Sequence, residues 1–334
     1  MSVESAQAAI DGAARTLGES LGVDGPALLR ERSEILGITP AGTVSAGGTC
    51  RLIPARDGRW VALNLARRSD IELLAAWMGH EWDGPPWDAV AGHLCEVDAP
   101  DAVDRAQLLG IPAAVAVEAV AGMPVRVTPG APRRTKDSPL VVDLAALWAG
   151  PLCARLLAEL GARVIKVELP GRPDGARGGH PEFWDRLNGN KEQRTLDVPA
   201  LRRLLDDADV VITSARPRAI EQLGLDLERR VMERGLIWAA ITGYGMTGEW
   251  SDRVAFGDDA AVAGGLAVAA GGVNAPVFVG DAPADPLAGL SAAGAARQAL
   301  KAGLGCVVDV SMRNGVAAAL TAAKYTAPIQ QEVA

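Results

Sequence analysis

The sequence is poor in the residues that cross-link small secreted domains or bind metals. It has 334 residues but only four cysteines and three histidines. The cysteines form no CxxC pair and the histidines lie in no HExxH motif, which disfavours a disulfide scaffold and a zinc site. We expect reduced thiols and no metal. The cysteines are Cys50, Cys95, Cys153 and Cys306.

Long apolar runs and excess positive charge are also missing. No run approaches the roughly 18–20 apolar residues that cross a bilayer, and residues 1–15 carry no export signal. The 41 acidic residues exceed the 33 basic ones, for a formal net charge of −8. This balance disfavours bulk binding to nucleic acid or anionic membrane and leaves room for a local pocket for a small anion. We expect a cytoplasmic protein with neither partner.

The chain is long enough for about two domains. Residues 128–139 are rich in proline, glycine and charge, a composition typical of a linker. We predict a small α+β domain over residues 1–128, a linker over 129–139 and a larger domain over 140–334. In the small domain, Asp57-Gly58 between two apolar runs predicts a hairpin.

The larger part alternates between short apolar strands and helices. Strands are predicted at 140–144, 163–168, 209–213, 236–242 and 305–310. Helices are predicted between them, including a long helix over residues 285–302. Such alternation favours an α/β fold with a parallel sheet covered by helices, Rossmann-like in pattern.

The turn after the first of these strands lacks a phosphate-binding fingerprint. Residues 145–151 contain one glycine and no GxGxxG, and a Walker A motif is missing from the whole sequence. Binding of NAD or ATP is therefore disfavoured.

An ordered set of segments resembles family III CoA-transferases, the group of formyl-CoA, carnitine-CoA and bile-acid-CoA transferases and α-methylacyl-CoA racemases. The segment at 142–168 is followed in register by Pro-Asp-Gly-Ala-Arg at 173–177, Leu-Asn-Gly-Asn-Lys at 187–191, Arg-Pro at 216–217 and Gly-Tyr-Gly-Met-Thr-Gly at 243–248. The resemblance covers about residues 140–312. It implies the parallel-sheet domain of that family beside a smaller α+β domain, and an enzyme that transfers CoA between an acyl-CoA and a small carboxylic acid.

The resemblance also implies a nucleophile at Asp285. In the family, an aspartate attacks the acyl-CoA thioester, and CoA is then held as an aspartyl thioester before it passes to the acceptor acid. Asp258, Asp259 and Asp281 are the rival acids, and the adjacent pair Asp258-Asp259 is expected to be a solvated turn.

Coenzyme A, as the acyl-CoA substrate, is the expected ligand, with no nicotinamide. The resemblance places the backbone of Trp148 and Ala149 near the pantetheine or adenine. It places a second group near the nucleotide and its phosphates, for which charged hydrogen bonds are suited. That group is Asn190, Lys191, Ser214, Ala215 and Arg216, with Arg177 and Arg218 as further nearby cations. A homodimer, or a heteromer with a related chain, is expected.

Several departures from the family pattern support an alternative. Glu192 and Gln222 stand where the family carries cations, and residues 57–64 resemble a small-domain segment that in the family follows the larger domain. The alternative is a non-catalytic CoA-binding or partner subunit of a family III assembly. Residues 251–263 contain no histidine, which disfavours racemase chemistry. A lyase, hydrolase or isomerase acting on acyl-CoA stays open.

Overall fold

A computed structural model describes residues 1–116, 122–134 and 136–323 of the chain. The strands are β1 (Cys50–Pro54), β2 (Trp60–Asn64), β3 (Ala113–Val115), β4 (Val125–Pro132), β5 (Leu140–Asp143), β6 (Arg163–Glu168), β7 (Glu192–Thr195), β8 (Val210–Thr213), β9 (Ile237–Thr242) and β10 (Leu304–Ser311). The helices are α1 (Val3–Leu21), α2 (Gly25–Leu36), α3 (Arg68–Glu72), α4 (Leu74–Met78), α5 (Pro86–Leu94), α6 (Ala99–Leu109), α7 (Ala149–Glu159), α8 (Pro181–Asn188), α9 (Val198–Asp207), α10 (Pro217–Leu223), α11 (Leu227–Arg234), α12 (Gly257–Ala263), α13 (Leu266–Gly271), α14 (Ala284–Ala302) and α15 (Met312–Ala322).

The larger sheet has seven strands in the order β4-β10-β9-β8-β5-β6-β7. All neighbours are parallel except β4, which runs antiparallel to β10. The predicted adjacency of the first two strands is confirmed, with Leu140 opposite Arg163. Read from its other edge and without β4, the order β7-β6-β5-β8-β9-β10 is that of a dinucleotide-binding fold. Strands are added on one side of β5 as far as β7, and from β8 onward they are added on its other side. Ligands in such sheets bind at the carboxyl ends of the strands at the switch, here β5 and β8.

Helices cover both faces of this sheet. Adjacent residues point to opposite faces, so Val141 packs with α1, α7, α14 and α15, whereas Val142 packs with α9, α10 and α11. Both valines are fully buried. Burial on both faces explains why these strands are continuous apolar runs, and the predicted α/β fold is confirmed.

A smaller antiparallel sheet, in the order β1-β2-β3, has its own apolar core. The predicted hairpin joins β1 and β2, and Gly58 in its turn has a φ of +77°, a conformation that glycine adopts without strain. Trp77 of α4 is fully buried beneath this sheet and donates a hydrogen bond from Nε1 to the Ala102 carbonyl oxygen, 2.9 Å away. The elements of this smaller unit lie within residues 50–116.

Two features of the predicted domain division differ from the structure. Residues 129–132, assigned to a linker, lie in β4 and pair with β10. Proline is tolerated there because β4 is an edge strand, so a proline-rich composition did not mark a break in the fold. Helices α1 and α2, assigned to the small domain over 1–128, instead share the apolar core of the larger sheet. Ile10 of α1 is fully buried in that core.

Among the residues that the structure describes, no helix combines the length and the apolar character needed to cross a membrane.

Helices α7 and α14 approach so closely that a side chain at their contact would not fit. A Cβ atom at Gly289 would lie 2.7 Å from the Ala149 carbonyl oxygen and 3.1–3.2 Å from Leu152. We predict that Gly289→Ala lowers the free energy of unfolding by about 1–3 kcal/mol, because the helices must separate. Gly12→Ala in α1 is the matched control, since nothing lies within 4 Å of the added methyl group. Urea denaturation checks this, and equal stability of the two variants would contradict the close contact.

Candidate active site

The turn between β5 and α7 is held in an unusual backbone conformation. Leu147 has a φ of +69°, which costs a residue other than glycine about 1–3 kcal/mol. Three side chains hold the backbone amides of this turn. Asp143 accepts from Ala145 N at 3.0 Å, Ser214 Oγ accepts from Ala146 N at 3.0 Å, and Asp174 accepts from Leu147 N at 2.9 Å. The turn is therefore fixed before any ligand arrives.

Trp148 and Ala149 follow directly and are both buried. The Trp148 ring meets the Phe183 ring edge-on, with centroids 5.2 Å apart. Its Nε1 has no hydrogen-bond partner within the described part of the chain. Both side chains are therefore packed inside the protein, and the expectation that the backbone here contacts a ligand stays a prediction.

The Lys191 side chain is buried within the protein. Its ammonium group is buried and donates to Asp143 Oδ2 at 2.9 Å, to the Pro151 carbonyl oxygen at 2.8 Å and to Asn188 Oδ1 at 2.9 Å. All three hydrogens are thus used to hold the first turn and α7. Burial lowers the pKa of Lys191, and the adjacent Asp143 opposes that shift.

Asn190, next to Lys191 in the chain, is exposed. It borders a cavity on the side of α7 and α8 whose charged residues are mostly acidic. Four carboxylates and two guanidinium groups line it, a balance that does not suit a phosphate. They are Glu31, Glu159, Glu182, Asp185, Arg155 and Arg186.

Ser214, Ala215 and Arg216 follow β8, at the switch in strand order. Ser214 joins this segment to the first turn through its hydrogen bond with Ala146. Ala215 and Arg216 are exposed, and Arg216 donates to the Asp252 carbonyl oxygen at 3.3 Å. The structure therefore places the start of this segment beside the turn that precedes Trp148 and Ala149. Arg177 stacks on Trp184 at 4.3 Å and donates to Glu168 at 2.7 Å.

Asp285 lies in the first turn of α14. Gly289, one helical turn further along the same face, contacts Ala149, so α14 carries the carboxylate to the region of the first turn. Asp285 is half-buried, whereas the rival acids Asp258, Asp259 and Asp281 are buried.

The backbone approaches Asp285 closely at Gly257, where α12 begins. A Cβ atom at Gly257 would lie 2.3 Å from Asp285 Oδ2, so only glycine fits. The Gly257 backbone also hydrogen-bonds this carboxylate. Sequence reasoning missed Gly257, because a single glycine in a glycine-rich region carries no distinguishing signal.

Burial and neighbouring charge keep these acids difficult to ionise. Desolvation, and then the charge of Asp258, raise the pKa of Asp285 to about 7. Desolvation raises the pKa of Asp258 to about 6 and that of Asp259 to about 8. Arg32 of α2 lowers the pKa of Asp285 and Asp258. Perturbed carboxylates gathered around one half-buried member are typical of catalytic sites.

The expectation of a solvated turn at Asp258-Asp259 is wrong. Asp258 accepts a hydrogen bond from Ala282 N, and Asp259 accepts one from Asn64 of β2, both at 3.1 Å. The pair is buried because α12 packs against the smaller sheet and α14. Two adjacent acids in the sequence gave no sign of the packing that covers them.

The arrangement supports nucleophilic chemistry. A half-buried carboxylate, oriented by a backbone hydrogen bond and titrating near neutral pH, can attack a carbonyl carbon when it is ionised. The exposed segment at 214–216 and the turn at 145–149 lie at the edge of the sheet where ligands of this fold bind.

Comparisons with known proteins show what the chain is similar to. The model of CoA-transferase family III matches residues 139–333. A succinyl-CoA:D-citramalate CoA-transferase from Chloroflexus aurantiacus is 34% identical over 206 residues, which covers 56% of this chain and 51% of that protein. A succinate–glutarate CoA-transferase from Agrobacterium fabrum is 31% identical over 197 residues, covering 52% of this chain and 49% of that protein. The chain thus spans about half the length of the curated relatives it matches.

Solved structures give the same result. A CAIB/BAIF family protein from Brucella suis matches with a TM-score of 0.50 and 29% identity, covering 56% of this chain and 55% of that one. A hypothetical protein from Mycobacterium tuberculosis matches with a TM-score of 0.50 and 30% identity, covering 58% of each chain.

Lys191 gives a direct test of a structural role against a ligand contact. We predict that Lys191→Met lowers the free energy of unfolding by about 3–5 kcal/mol, because Asp143 is left buried without its countercharge. Lys301→Met in the last turn of α14 is the control, since Lys301 is exposed. Thermal or urea unfolding checks both variants. Unchanged stability together with weaker CoA binding by Lys191→Met would instead support a ligand contact.

The raised pKa of Asp259 predicts that the stability of the protein depends on pH. In the folded state its pKa is about 8, against an ordinary value of 3.8, so folding favours its protonated form. Its contribution is fully present below pH 3.8 and is lost as the pH rises towards 8. The stability of the wild type should therefore fall relative to that of Asp259→Asn across this range. Urea denaturation at several pH values measures the difference, and parallel stability curves would contradict the prediction.

Proposed function

Since this chain belongs to CoA-transferase family III, we propose that it transfers CoA between an acyl-CoA and a carboxylic acid, with Asp285 as the nucleophile. The observation that carries the proposal is the half-buried Asp285 carboxylate on α14, about one helical turn from the contact between Gly289 and Ala149. The names of the curated relatives support the class of reaction.

The proposed reaction proceeds through two kinds of aspartyl intermediate. An ionised Asp285 oxygen attacks the thioester carbonyl carbon, the carbon–sulfur bond breaks, and CoA thiolate leaves behind an acyl–aspartyl anhydride. The thiolate then attacks the aspartyl carbonyl carbon, which releases the donor acid and forms an aspartyl–CoA thioester. The acceptor carboxylate repeats these two steps in reverse order, forms its own anhydride with Asp285 and leaves as the new acyl-CoA. No redox change or net proton transfer is required, so the proposed mechanism uses no metal or nicotinamide.

The residues at the sheet edge have separate parts in this proposal. The backbone around Trp148 and Ala149 binds the CoA moiety, and the exposed segment from Ser214 to Arg216 binds its nucleotide. Arg216 supplies positive charge for a phosphate. We assign Lys191 to support of the first turn, because its three hydrogen bonds lie within the protein. We leave Asn190 out of the site, because it borders an acidic cavity.

The proposal includes the cellular location and the oligomeric state of the enzyme. We place it in the cytoplasm, where reduced thiols are expected, and the described cysteines are all free. We propose a homodimer or a heteromer with a related chain. One relative from Chloroflexus aurantiacus, 36% identical over 146 residues, is named as the beta subunit of a CoA-transferase.

Replacing the nucleophile tests the proposal. Asp285→Asn preserves the shape of the side chain but removes the nucleophilic carboxylate. We predict that it lowers the rate of acyl transfer by several powers of ten, each worth about 1.4 kcal/mol of barrier, and leaves CoA affinity nearly unchanged. Steady-state kinetics and calorimetry measure the two effects.

Asp101→Asn is the matched control, because Asp101 also lies in the first turn of a helix, beside a proline, but is exposed on α6. It should be silent. Full activity in Asp285→Asn would contradict the mechanism. A wild type that binds CoA but is inert, alone or mixed with a longer relative, would favour the binding-subunit alternative.

A further inference from the structure

Among the described residues, Arg32 is the one cation that lowers the pKa values of Asp258, Asp281 and Asp285. It lies on α2, far outside residues 139–333, which match the family model. The geometry points to Arg32 as a positioning residue for the nucleophile, one that anchors the turn before α14 through Asp281 and brings a positive charge to the acidic cluster. This inference rests on the proposed function, because it concerns the nucleophile named there.

The anchoring contact is an ion pair with Asp281. Arg32 Nη1 lies 2.5 Å from Asp281 Oδ1. The Asp281 side chain is fully buried and its Oδ2 has no other partner in the described part of the chain. Because a buried carboxylate without a countercharge is strongly unfavourable, this ion pair holds Asp281 in place. Arg32 itself is a quarter exposed, so it lies at the boundary between the acidic cluster and solvent.

The segment that Asp281 belongs to needs such an anchor. Ala282 has a φ of +44°, in the left-handed region that residues other than glycine avoid. Strained residues of this kind persist only where several contacts determine the backbone. Here the contacts are the ion pair at Asp281 and the hydrogen bond from Ala282 N to Asp258 Oδ1. Asp285 follows within one turn, and its backbone N–H donates to the Ala282 carbonyl oxygen at 3.0 Å.

The same guanidinium group also reaches the predicted CoA-binding turn. Its central carbon lies 5.7 Å from the centroid of the Trp148 ring, within the range of a cation–π contact. Arg32 therefore contacts both Asp281, in the turn before the nucleophile, and Trp148, the residue before α7.

Charge supplies the second part of the inference. Asp258 and Asp281 both oppose ionisation of Asp285, whereas Arg32 and the Gly257 backbone favour it. Asp259 lies behind Asp258 on α12 and is hydrogen-bonded to Asn64. Loss of Arg32 leaves the Gly257 backbone hydrogen bond to oppose the two carboxylates, so a higher pH is needed to form the nucleophilic carboxylate.

The titration of Asp285 tests the charge effect without any turnover. We predict that Arg32→Gln raises the midpoint by about one pH unit, followed by NMR of protein labelled with ¹³C at the aspartate carboxyl carbons, with Asp285→Asn used for assignment. The acid limb of the pH–rate profile should shift to higher pH by the same amount, so activity at a pH below the midpoint should fall about tenfold. Arg30→Gln is the matched control on the same helix, since Arg30 is half-exposed and its ion-pair contacts to Asp11 and Glu34 are long, at 3.6 Å.

Arg32→Lys tests the anchoring effect separately, because an ammonium group keeps the charge and loses the planar fork. In this variant the midpoint of the Asp285 titration should stay close to that of the wild type, whereas hydrogen exchange at the Ala282 amide should be faster. Unchanged exchange in Arg32→Lys, an unshifted midpoint in Arg32→Gln, or an equal shift in Arg30→Gln would each overturn the inference. If the wild type transfers no CoA, the proposed function fails, whereas the titration and exchange experiments still decide the role of Arg32.

Discussion

The contact between α7 and α14 is the constraint on which the site depends. It places the Ala149 carbonyl oxygen where any side chain on Gly289 would collide with it. Because α7 starts at the first turn and α14 starts next to Asp285, this one contact determines how far the proposed nucleophile lies from the predicted CoA-binding backbone. The sheet fixes the other end of each helix, since α7 leads into β6 and α14 leads into β10.

The acidic cluster adds an electrostatic constraint to this geometric one. Four carboxylates lie close together where water is largely excluded, and in the described part of the chain the Arg32 guanidinium group opposes the raised pKa of three of them, Asp258, Asp281 and Asp285. This arrangement opposes folding with all four acids ionised, as the raised pKa values of Asp258, Asp259 and Asp285 show. An ionised carboxylate in such surroundings is poorly solvated, and a poorly solvated carboxylate is a stronger nucleophile than one in water. The stability that the protein loses in this cluster is therefore consistent with a site that performs chemistry.

The sequence predicted the elements whose patterns are local. The apolar runs of β5 and β6, the long helix that carries Asp285 and the hairpin at Asp57-Gly58 were all predicted and are present. The strand β4 was not predicted, because the prolines that suggested a linker are compatible with an edge strand.

Features that depend on distant packing could not be predicted from local patterns. The resemblance to the family implied a place near the nucleotide for Lys191, and no local pattern indicated that three acceptors within the protein surround its ammonium group. Asp258 and Asp259 suggested a solvated turn, whereas α12 is covered by the smaller sheet and α14. No sequence pattern indicated a role for Arg32, because its partner Asp281 lies 249 residues away along the chain.

The central claim is that Asp285 is covalently modified during turnover, and trapping the intermediate tests it most directly. The protein is incubated with an acyl-CoA, treated with hydroxylamine, digested and analysed by peptide mass spectrometry. Hydroxylamine converts an activated aspartyl carbonyl group into a hydroxamate, and the account predicts this modification at Asp285 only when acyl-CoA is present. A modification confined to another acid, or none at all while CoA transfer proceeds, would contradict it.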